Sequence, residues 1–399
     1  MGDPGRVAGR VGVPAALVLV ISLTGCRAAS TAAVEALPGD PLPEITAEEL
    51  ARFGEGKALF NRAFTSQEGL GPLFNQTRCS SCHDLPASGG HGAESVTKVT
   101  RFDALEGCSL LSESGGDLLQ ASVTSEGRAL GLAPERIPEG ADGVAEIQAP
   151  PLYGLGLVDA VPAAAIAAAA DPYDLNGDGI SGLVGTDPLG GPGRFGGKAS
   201  QATLGSFIES ATRGELGLTT PAHPVEDLPE GRPLPPGADP SPDPEVDAAF
   251  LAAVEAYVRF LAVPRPAVPA DEAAGAVERG RGLFESIGCA RCHTPTWTTG
   301  PNPSPSLDRK TFRAYSDFLL HDMGPELADI CGPGAAPSEW RTSRLAGLRF
   351  RSAFMHHGRA GRLEDAVELH GGEGARARAG FRSLPEGAQM DLLAFLRTL

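Results

Sequence analysis

The sequence predicts a mainly α chain of two similar units, the first enlarged by an insertion of loops and short strands. Three observations predict it. The run Cys79-Ser80-Ser81-Cys82-His83 returns as Cys289-Ala290-Arg291-Cys292-His293. Ahead of each run stands a helical phrase, Gly56-Lys57-Ala58-Leu59-Phe60 and Gly280-Arg281-Gly282-Leu283-Phe284. Behind each comes a closing apolar helix, residues 244–263 with Phe260-Leu261 and residues 389–399 with Phe395-Leu396. An order of elements that recurs within one chain reads as a repeated structural unit.

The chain has 399 residues, enough for two cored units, and 42% hydrophobic content is ordinary for a globular protein. A formal net charge of -17 disfavours nucleic acid as a partner and suits a solvated face that meets a basic protein. Residues 1–25 have the form of an export signal: Arg6 and Arg10 at the start, an apolar stretch over 11–23, and the close Leu23-Thr24-Gly25-Cys26. That close resembles a bacterial lipobox, which would make Cys26 a lipidated N-terminus and tether the chain to a membrane from the periplasm or cell surface. The alternative is a plain secretory signal with an incidental cysteine. Residues 26–44, rich in alanine and proline without periodicity, read as the tether.

The first unit spans 45–263. Thr46, followed by Glu48 and Glu49, opens an amphipathic helix through Phe60, with acids where the helix dipole favours them. In the insertion, residues 95–148 mix short apolar runs with glycines and suggest hairpins, 162–170 suggest a short alanine-rich helix, and 221–244 an acidic, proline-dense loop. The phrase Asp174-Leu175-Asn176-Gly177-Asp178-Gly179 sets oxygens at alternate positions before a glycine, as calcium loops do. Its terminal bidentate glutamate is missing, because Gly185 holds that place, so a metal-free Asx-turn loop is the alternative to calcium on Asp174, Asn176 and Asp178. Residues 264–270 read as a proline-studded linker, and 271–399 as the second unit.

A Cys-x-x-Cys-His run lets two thiols add across the vinyl groups of a haem while the adjoining histidine takes the iron. Cys79, Cys82 and His83 would hold one haem c, and Cys289, Cys292 and His293 a second. Two Cys-x-x-Cys pairs also suit a tetrahedral zinc site, although zinc does not require a histidine directly after each pair. With four cysteines on haem and Cys26 on lipid, Cys108 and Cys331 remain, either as a disulfide clamping the halves or as two buried thiols.

Helix, haem motif and closing aromatic helix resemble a class I cytochrome c unit, so the fold class implied is two cytochrome c-like domains. Several further phrases carry a more specific resemblance: Phe74-Asn75, Tyr153-Gly154-Leu155-Gly156-Leu157, Gly193-Arg194-Phe195-Gly196-Gly197-Lys198-Ala199, His321-Asp322-Met323-Gly324-Pro325, Glu339-Trp340-Arg341-Thr342 and Phe354-Met355-His356-His357-Gly358-Arg359. Together they resemble the bacterial di-haem c-type oxidoreductases, labelled as peroxidases or thiol oxidoreductases, and more distantly the di-haem cytochrome c peroxidases. The resemblance implies an exported enzyme of peroxidase type. One haem stays open to a small oxidant, and the other, six-coordinate, relays electrons from a small cytochrome c or cupredoxin.

Leu363-Glu364-Asp365-Ala366-Val367 is similar to the phrase that precedes the sixth ligand of the C-terminal haem, which implies His370 for that ligand. The peroxidases carry methionine there, and a second imidazole implies a lower potential. Arg213-Gly214-Glu215-Leu216-Gly217 looks like the phrase holding their distal glutamate, which implies Glu215 as acid-base; a solvated loop glutamate is the alternative. His91 is either a distal ligand or an exposed loop histidine, and His321 and Met323 either face a haem edge or serve as core. His356 and His357 suit a propionate or an inter-domain contact, and Arg341 and Arg359 suit propionates. A non-catalytic di-haem carrier and a haem-dependent accessory of surface iron acquisition are the competing functions.

Overall fold

The computed structural model describes residues 34–270 and 272–399, together with residues 1, 2 and 5. Arg6, Arg10, the apolar stretch 11–23 and Cys26 lie outside the described residues. No helix among the described residues is long and apolar enough to cross a membrane.

Helix α1 (Ala47–Phe60) starts where the sequence places it. Thr46 Oγ1 accepts from the Glu49 amide at 3.2 Å and Glu49 Oε2 accepts from the Thr46 amide at 2.9 Å, closing a capping box over the first turn. Three short helices, α2 (Ser125–Ala129), α3 (Leu155–Asp159) and α4 (Ala163–Ala167), lie in the insertion. Then come α5 (Leu204–Leu216), capped by Thr203, and α6 (Ala248–Arg259), capped by Asp247. The C-terminal half holds α7 (Ala276–Ser286), α8 (Leu363–Glu368), α9 (Ala375–Ser383) and α10 (Glu386–Leu396).

The repeat is a repeat of helix crossings. Helix α1 packs across α6 and α7 across α10. A Cβ on Gly56 would stand 1.9 Å from the Ala253 carbonyl oxygen, and one on Gly280 would stand 1.9 Å from the Asp391 carbonyl oxygen. Only glycine permits backbones this close. One turn on, Tyr257 packs on Phe60 with ring centroids 5.0 Å apart and Phe395 on Phe284 at 5.4 Å. The structural equivalence is therefore Ala253 to Tyr257 with Asp391 to Phe395, one helical turn earlier than the expected match of Phe260-Leu261 with Phe395-Leu396. Phe260 caps the end of α6, where its carbonyl accepts from the Leu42 amide at 2.7 Å. Gly280→Ala is expected to lower the free energy of unfolding by about 1–3 kcal/mol through overpacking, exceeding the roughly 1 kcal/mol that alanine adds in helix propensity. Urea denaturation followed by circular dichroism measures it, and an unchanged or raised midpoint would contradict the close crossing.

The mainly α expectation is corrected, because helices are mixed with many short strands. The largest sheet is antiparallel, with Ser95–Asp103 between Gly107–Ser109 and Gly143–Gln148. Its central strand, Ser-Val-Thr-Lys-Val-Thr-Arg-Phe-Asp, is rich in β-branched residues that suit a pleated surface. Elsewhere the strands are two or three residues long, too short for alternation to announce them.

The tether expectation is corrected as well for residues 34–44. Val34 and Leu42 are each 1% exposed, and Glu35–Ala36 pairs in parallel with Val263–Pro264. Arg265 Nε donates to the Glu35 carbonyl at 3.1 Å, and the Glu35 carboxylate is paired with Arg313. The supposed tether and linker thus grip each other through backbone bonds and isolated apolar side chains, which leave no periodic mark on the sequence.

The larger apolar core runs from Val34 to Ala346 and takes in Phe312, Phe318 and Leu319 of the C-terminal half. A second gathers Phe284, Tyr315, Phe381 and the apolar face of α10. Cys108 and Cys331 are disulfide-bonded, with their Cα atoms 5.7 Å apart, and tie the inserted sheet to the C-terminal half. Of the two readings left open for these cysteines, the clamp is the one found.

Candidate haem-binding sites

Each Cys-x-x-Cys-His run follows the first helix of its crossing and forms one 3-10 turn, Cys79–Ser81 and Cys289–Arg291. All four thiols are free of disulfides and half-buried. The Phe60 ring lies 6.3 Å from His83 at 47°, and the Phe284 ring lies 6.3 Å from His293 at 47°. The same helix end and the same phenylalanine therefore set both imidazoles in the same attitude.

His83 Nδ1 is 3.1 Å from the Gly90 carbonyl oxygen, His293 Nδ1 is 2.9 Å from that of Tyr315, and His370 Nδ1 is 2.8 Å from that of Ala366. A carbonyl accepts only, so each Nδ1 carries the proton and each Nε2 keeps its lone pair for a metal. Burial holds all three below the ordinary histidine range, and His293, which also feels His370, is pushed down to about 4. Neutral imidazoles are what haem iron binds.

At the second motif, His370 follows the end of α8 and its ring centroid is 6.3 Å from that of His293. Two imidazole–metal bonds of about 2 Å each, with the ring radii added, need a separation of this size. The residues present therefore fit a haem iron held between His293 and His370.

The first motif differs. Phe60 is the aromatic ring paired with His83 among the described residues. Glu215, at the C-terminal end of α5, lies beside the motif instead, where burial and then its charge raise both the Cys79 and Cys82 thiols. Its carboxylate accepts from Asn75 Nδ2 at 3.2 Å, and its carbonyl accepts from the Asn75 and Gln76 amides at 2.8 and 3.0 Å. Burial raises the Glu215 carboxyl above its ordinary range against the opposing pull of Asn75 and Lys98. Lys98 is itself paired with Asp117 at 2.7 Å. Lys98 and Asp117 were not foreseen: they meet because one is on the inserted strand and the other on a loop nineteen positions later, a pairing with no local signature.

One expectation is corrected, and several open alternatives find their place. His91 is neither exposed nor a distal ligand, because it is buried and its Nε2 donates to the Phe350 carbonyl at 2.7 Å. His321 faces no haem edge with a free nitrogen, since Nε2 meets Asp317 at 2.8 Å and Nδ1 meets Glu373 at 2.6 Å. Burial acts to lower its pKa, but hydrogen bonds to Asp317, Cys292 and Glu373 hold it at about 12, an imidazolium between carboxylates. Met323 packs with Ile147, Leu327 and Trp340 as core. His356 stacks on Trp340 at 3.6 Å and reaches Asp329 at 2.8 Å, while its carbonyl accepts from the Gln148 amide, so it joins the two halves. Arg341 uses its Nε and Nη1 on the Gly196 and Thr342 carbonyls, and Arg359 is exposed.

The expected calcium loop is turned on its own amides. Asp174 accepts from the Asp178 and Gly179 amides, Asn176 Oδ1 accepts from the Asp178 amide, and Asp178 accepts from Ile180 and pairs with Arg291 at 3.2 Å. These bonds describe the Asx-turn alternative.

Acids gather instead in the 221–244 loop and just past it, where Glu226, Asp239, Asp243 and Glu245 place carboxylate oxygens within 4.8 Å of one another. Burial, then repulsion from Glu245, Asp239 and Asp243, pushes Glu226 up to about 9, and burial pushes Glu245 up to about 7. A carboxyl whose folded pKa is raised lends stability that is complete below its unfolded value, 4.5, and is lost as pH rises through the folded value. Glu226→Gln is therefore expected to raise the thermal midpoint at about pH 9 and to leave it unchanged near pH 4.5, measured by calorimetry across that window. A gap that fails to widen with pH would contradict the buried, protonated Glu226.

The profile of a protein family described as "Di-haem oxidoreductase, putative peroxidase" matches residues 30–103 and 143–399. No curated protein matches the chain. Among solved structures, the hydrazine synthase of Kuenenia stuttgartiensis is similar at 14% identity over 100% of both chains, with a TM-score of 0.40. A MauG-like protein associated with microbial copper homeostasis is similar at 16% identity over 92% of each chain, with a TM-score of 0.38. The diheme peroxidase BthA of Burkholderia thailandensis shares 16% identity over 91% of this chain and 94% of its own, with a TM-score of 0.33. With both motifs and nearly all of the described residues inside the matched region, the chain belongs to the di-haem oxidoreductases and is an enzyme of peroxidase type with two haem cofactors.

Proposed function

We propose that the chain is an exported, lipid-anchored di-haem c-type enzyme that reduces peroxide or a similar small oxidant at its N-terminal haem, with electrons entering through the C-terminal haem. Cys79 and Cys82, and Cys289 and Cys292, attach the two haems by thioethers, with His83 and His293 as proximal ligands. The observation that carries the reading is the asymmetry of the two sites. His293 faces His370 at 6.3 Å, whereas at the first motif, where Phe60 is the ring paired with His83 among the described residues, the buried Glu215 carboxyl lies by Cys79 and Cys82.

Bound haem supplies the iron at which the oxidant is reduced and the store for the electrons. The chain supplies the rest. At the first site Glu215 Oε2 takes a proton from the near oxygen of a peroxide and returns it to the departing one, and Asn75 holds the carboxylate in place. At the second site His293 and His370 would both hold the iron, which suits electron relay over substrate binding. The net charge of -17 supports a basic electron donor of cytochrome c or cupredoxin type. Lipidation of Cys26 would place the enzyme at the outer side of a bacterial membrane.

Electron paramagnetic resonance of the oxidised and half-reduced protein tests the asymmetry. The expected result is one low-spin bis-imidazole signal, and one centre that is high-spin or becomes so on half-reduction and then binds cyanide. Two low-spin haems in every redox state, with no peroxide turnover, would make the chain an electron carrier. Red pigment that leaves with acidified acetone would overturn the thioethers.

A further inference from the structure

A cavity of about 650 Å³ opens in the C-terminal half, between residues 267–269, the stretch from Leu348 to Phe354 and the start of α8. Its charged lining is Arg349, Arg351, Arg362 and Arg397 against a single acid, Glu364. Three of the four cations are engaged. Arg349 donates to the Arg265 and Thr398 carbonyls, Arg362 pairs with Glu364 at 2.9 Å, and Arg397 pairs with Glu272 at 3.5 Å. Arg351 is different. Its Nε is enclosed without a partner, and no hydrogen bond or ion pair to its guanidinium occurs among the described residues. Burial lowers its pKa, as it must for a cation with no counter-charge. An enclosed cationic nitrogen without a partner is costly, and a bound anion offsets that cost.

The cavity walls say what shape of anion. Leu348, Leu363 and Leu396 line it, and all three belong to the apolar cluster that includes Phe284 and Cys289. Phe284 is the ring beside His293, and Leu363 opens the helix that leads to His370. A ligand with a flat apolar body and carboxylate arms matches an apolar wall with a planar guanidinium at its edge.

We propose that Arg351 anchors a propionate of the C-terminal haem, and that this cavity, not Arg341 or Arg359, is the carboxylate end of that site. The proposal rests on the reading that the second motif holds a haem. Next to a propionate, the guanidinium keeps the carboxylate ionised and its charge compensated. Removing it leaves an anion near the iron, which favours the oxidised form and couples reduction to propionate protonation.

The test uses full-length holoprotein carrying Arg351→Gln, Arg351→Lys, or Arg382→Gln as an exposed control. Haem is counted by pyridine haemochrome and each midpoint potential is followed by spectroelectrochemistry across pH. With two haems retained, Arg351→Gln is expected to move the C-terminal potential negative and give it a pH dependence that wild type lacks. Arg351→Lys should restore most of the potential, and the N-terminal potential should stay in place. An unmoved C-terminal potential in Arg351→Gln overturns the proposal. So does thermal stabilisation of wild-type holoprotein by inorganic phosphate or succinate that Arg351→Gln abolishes, because the cavity then takes a free anion. If the Gln variant does not accumulate, Arg351→Met, which also removes the charge but keeps an unbranched side chain, is read in the same way. Fewer than two haems in wild type would instead sink the underlying haem reading, and the count separates the two failures.

Discussion

Glu215→Gln is expected to lower kcat/KM for peroxide by about 10²–10⁴-fold, the range that a positioned acid-base group contributes, while both haems remain attached. Glutamine keeps the shape and still has an oxygen to accept from Asn75 Nδ2, but it cannot receive and return a proton. The pH profile adds a readout that misfolding would not mimic. Burial lifts the Glu215 carboxyl, so the fraction able to accept a proton falls at a pH above the ordinary carboxylate range. The wild-type rate should decline on the acid side as Glu215 protonates, and that limb should vanish in the Gln variant. Glu215→Asp retains the chemistry on a shorter arm and should fall between them. Steady-state peroxide assays across pH decide it: activity within two- to three-fold of wild type (roughly the spread expected of a mere contact residue), with the acid limb intact, would remove Glu215 from the mechanism.

How far the sequence foretells this site depends on whether each feature is local. The capping box of Thr46 and Glu49, the paired glycines Gly56 and Gly280 and the two motifs are all patterns within a few residues, and the structure builds each as its chemistry requires. His370 was reachable because its phrase resembles the family's, and the structure brings it to His293. The closing helices were matched one turn out of register, because similar apolar residues recur every turn and only the crossing shows which one fills the gap. Lys98 and Asp117 beside Glu215, the partner of His91 at Phe350 and the lone guanidinium of Arg351 depend on where distant segments meet. Residues 34–44 escaped for a related reason. Val34 and Leu42 are two apolar side chains eight positions apart in an extended segment, which has no helical or alternating period to display. The loop at Asp174 stays ambiguous from sequence for another reason, since an Asx-turn and a calcium site use the same oxygens and differ only in where those oxygens point.

His370→Met is expected to raise the potential of the C-terminal haem by on the order of hundreds of millivolts, a fraction of the roughly 0.8 V range that axial ligands command. An imidazole donates more strongly than a thioether and so favours the oxidised iron, which would make a His293–His370 pair a low-potential site. The Nδ1 bonds to Tyr315 and Ala366 strengthen that donation by holding each ring as a neutral, oriented ligand. The consequence reaches the other site, because a low-potential relay drives electrons onward to the first haem, whereas a methionine would retain them. Peroxide turnover in His370→Met should therefore slow even though nothing near Glu215 has changed. His370→Ala, which leaves no ligand, should convert the low-spin signal to high-spin and let the C-terminal haem bind cyanide. A C-terminal haem that stays low-spin in His370→Ala and keeps its potential in His370→Met would mean that His370 is not the sixth ligand. The 6.3 Å approach of the two rings would then have to serve packing alone.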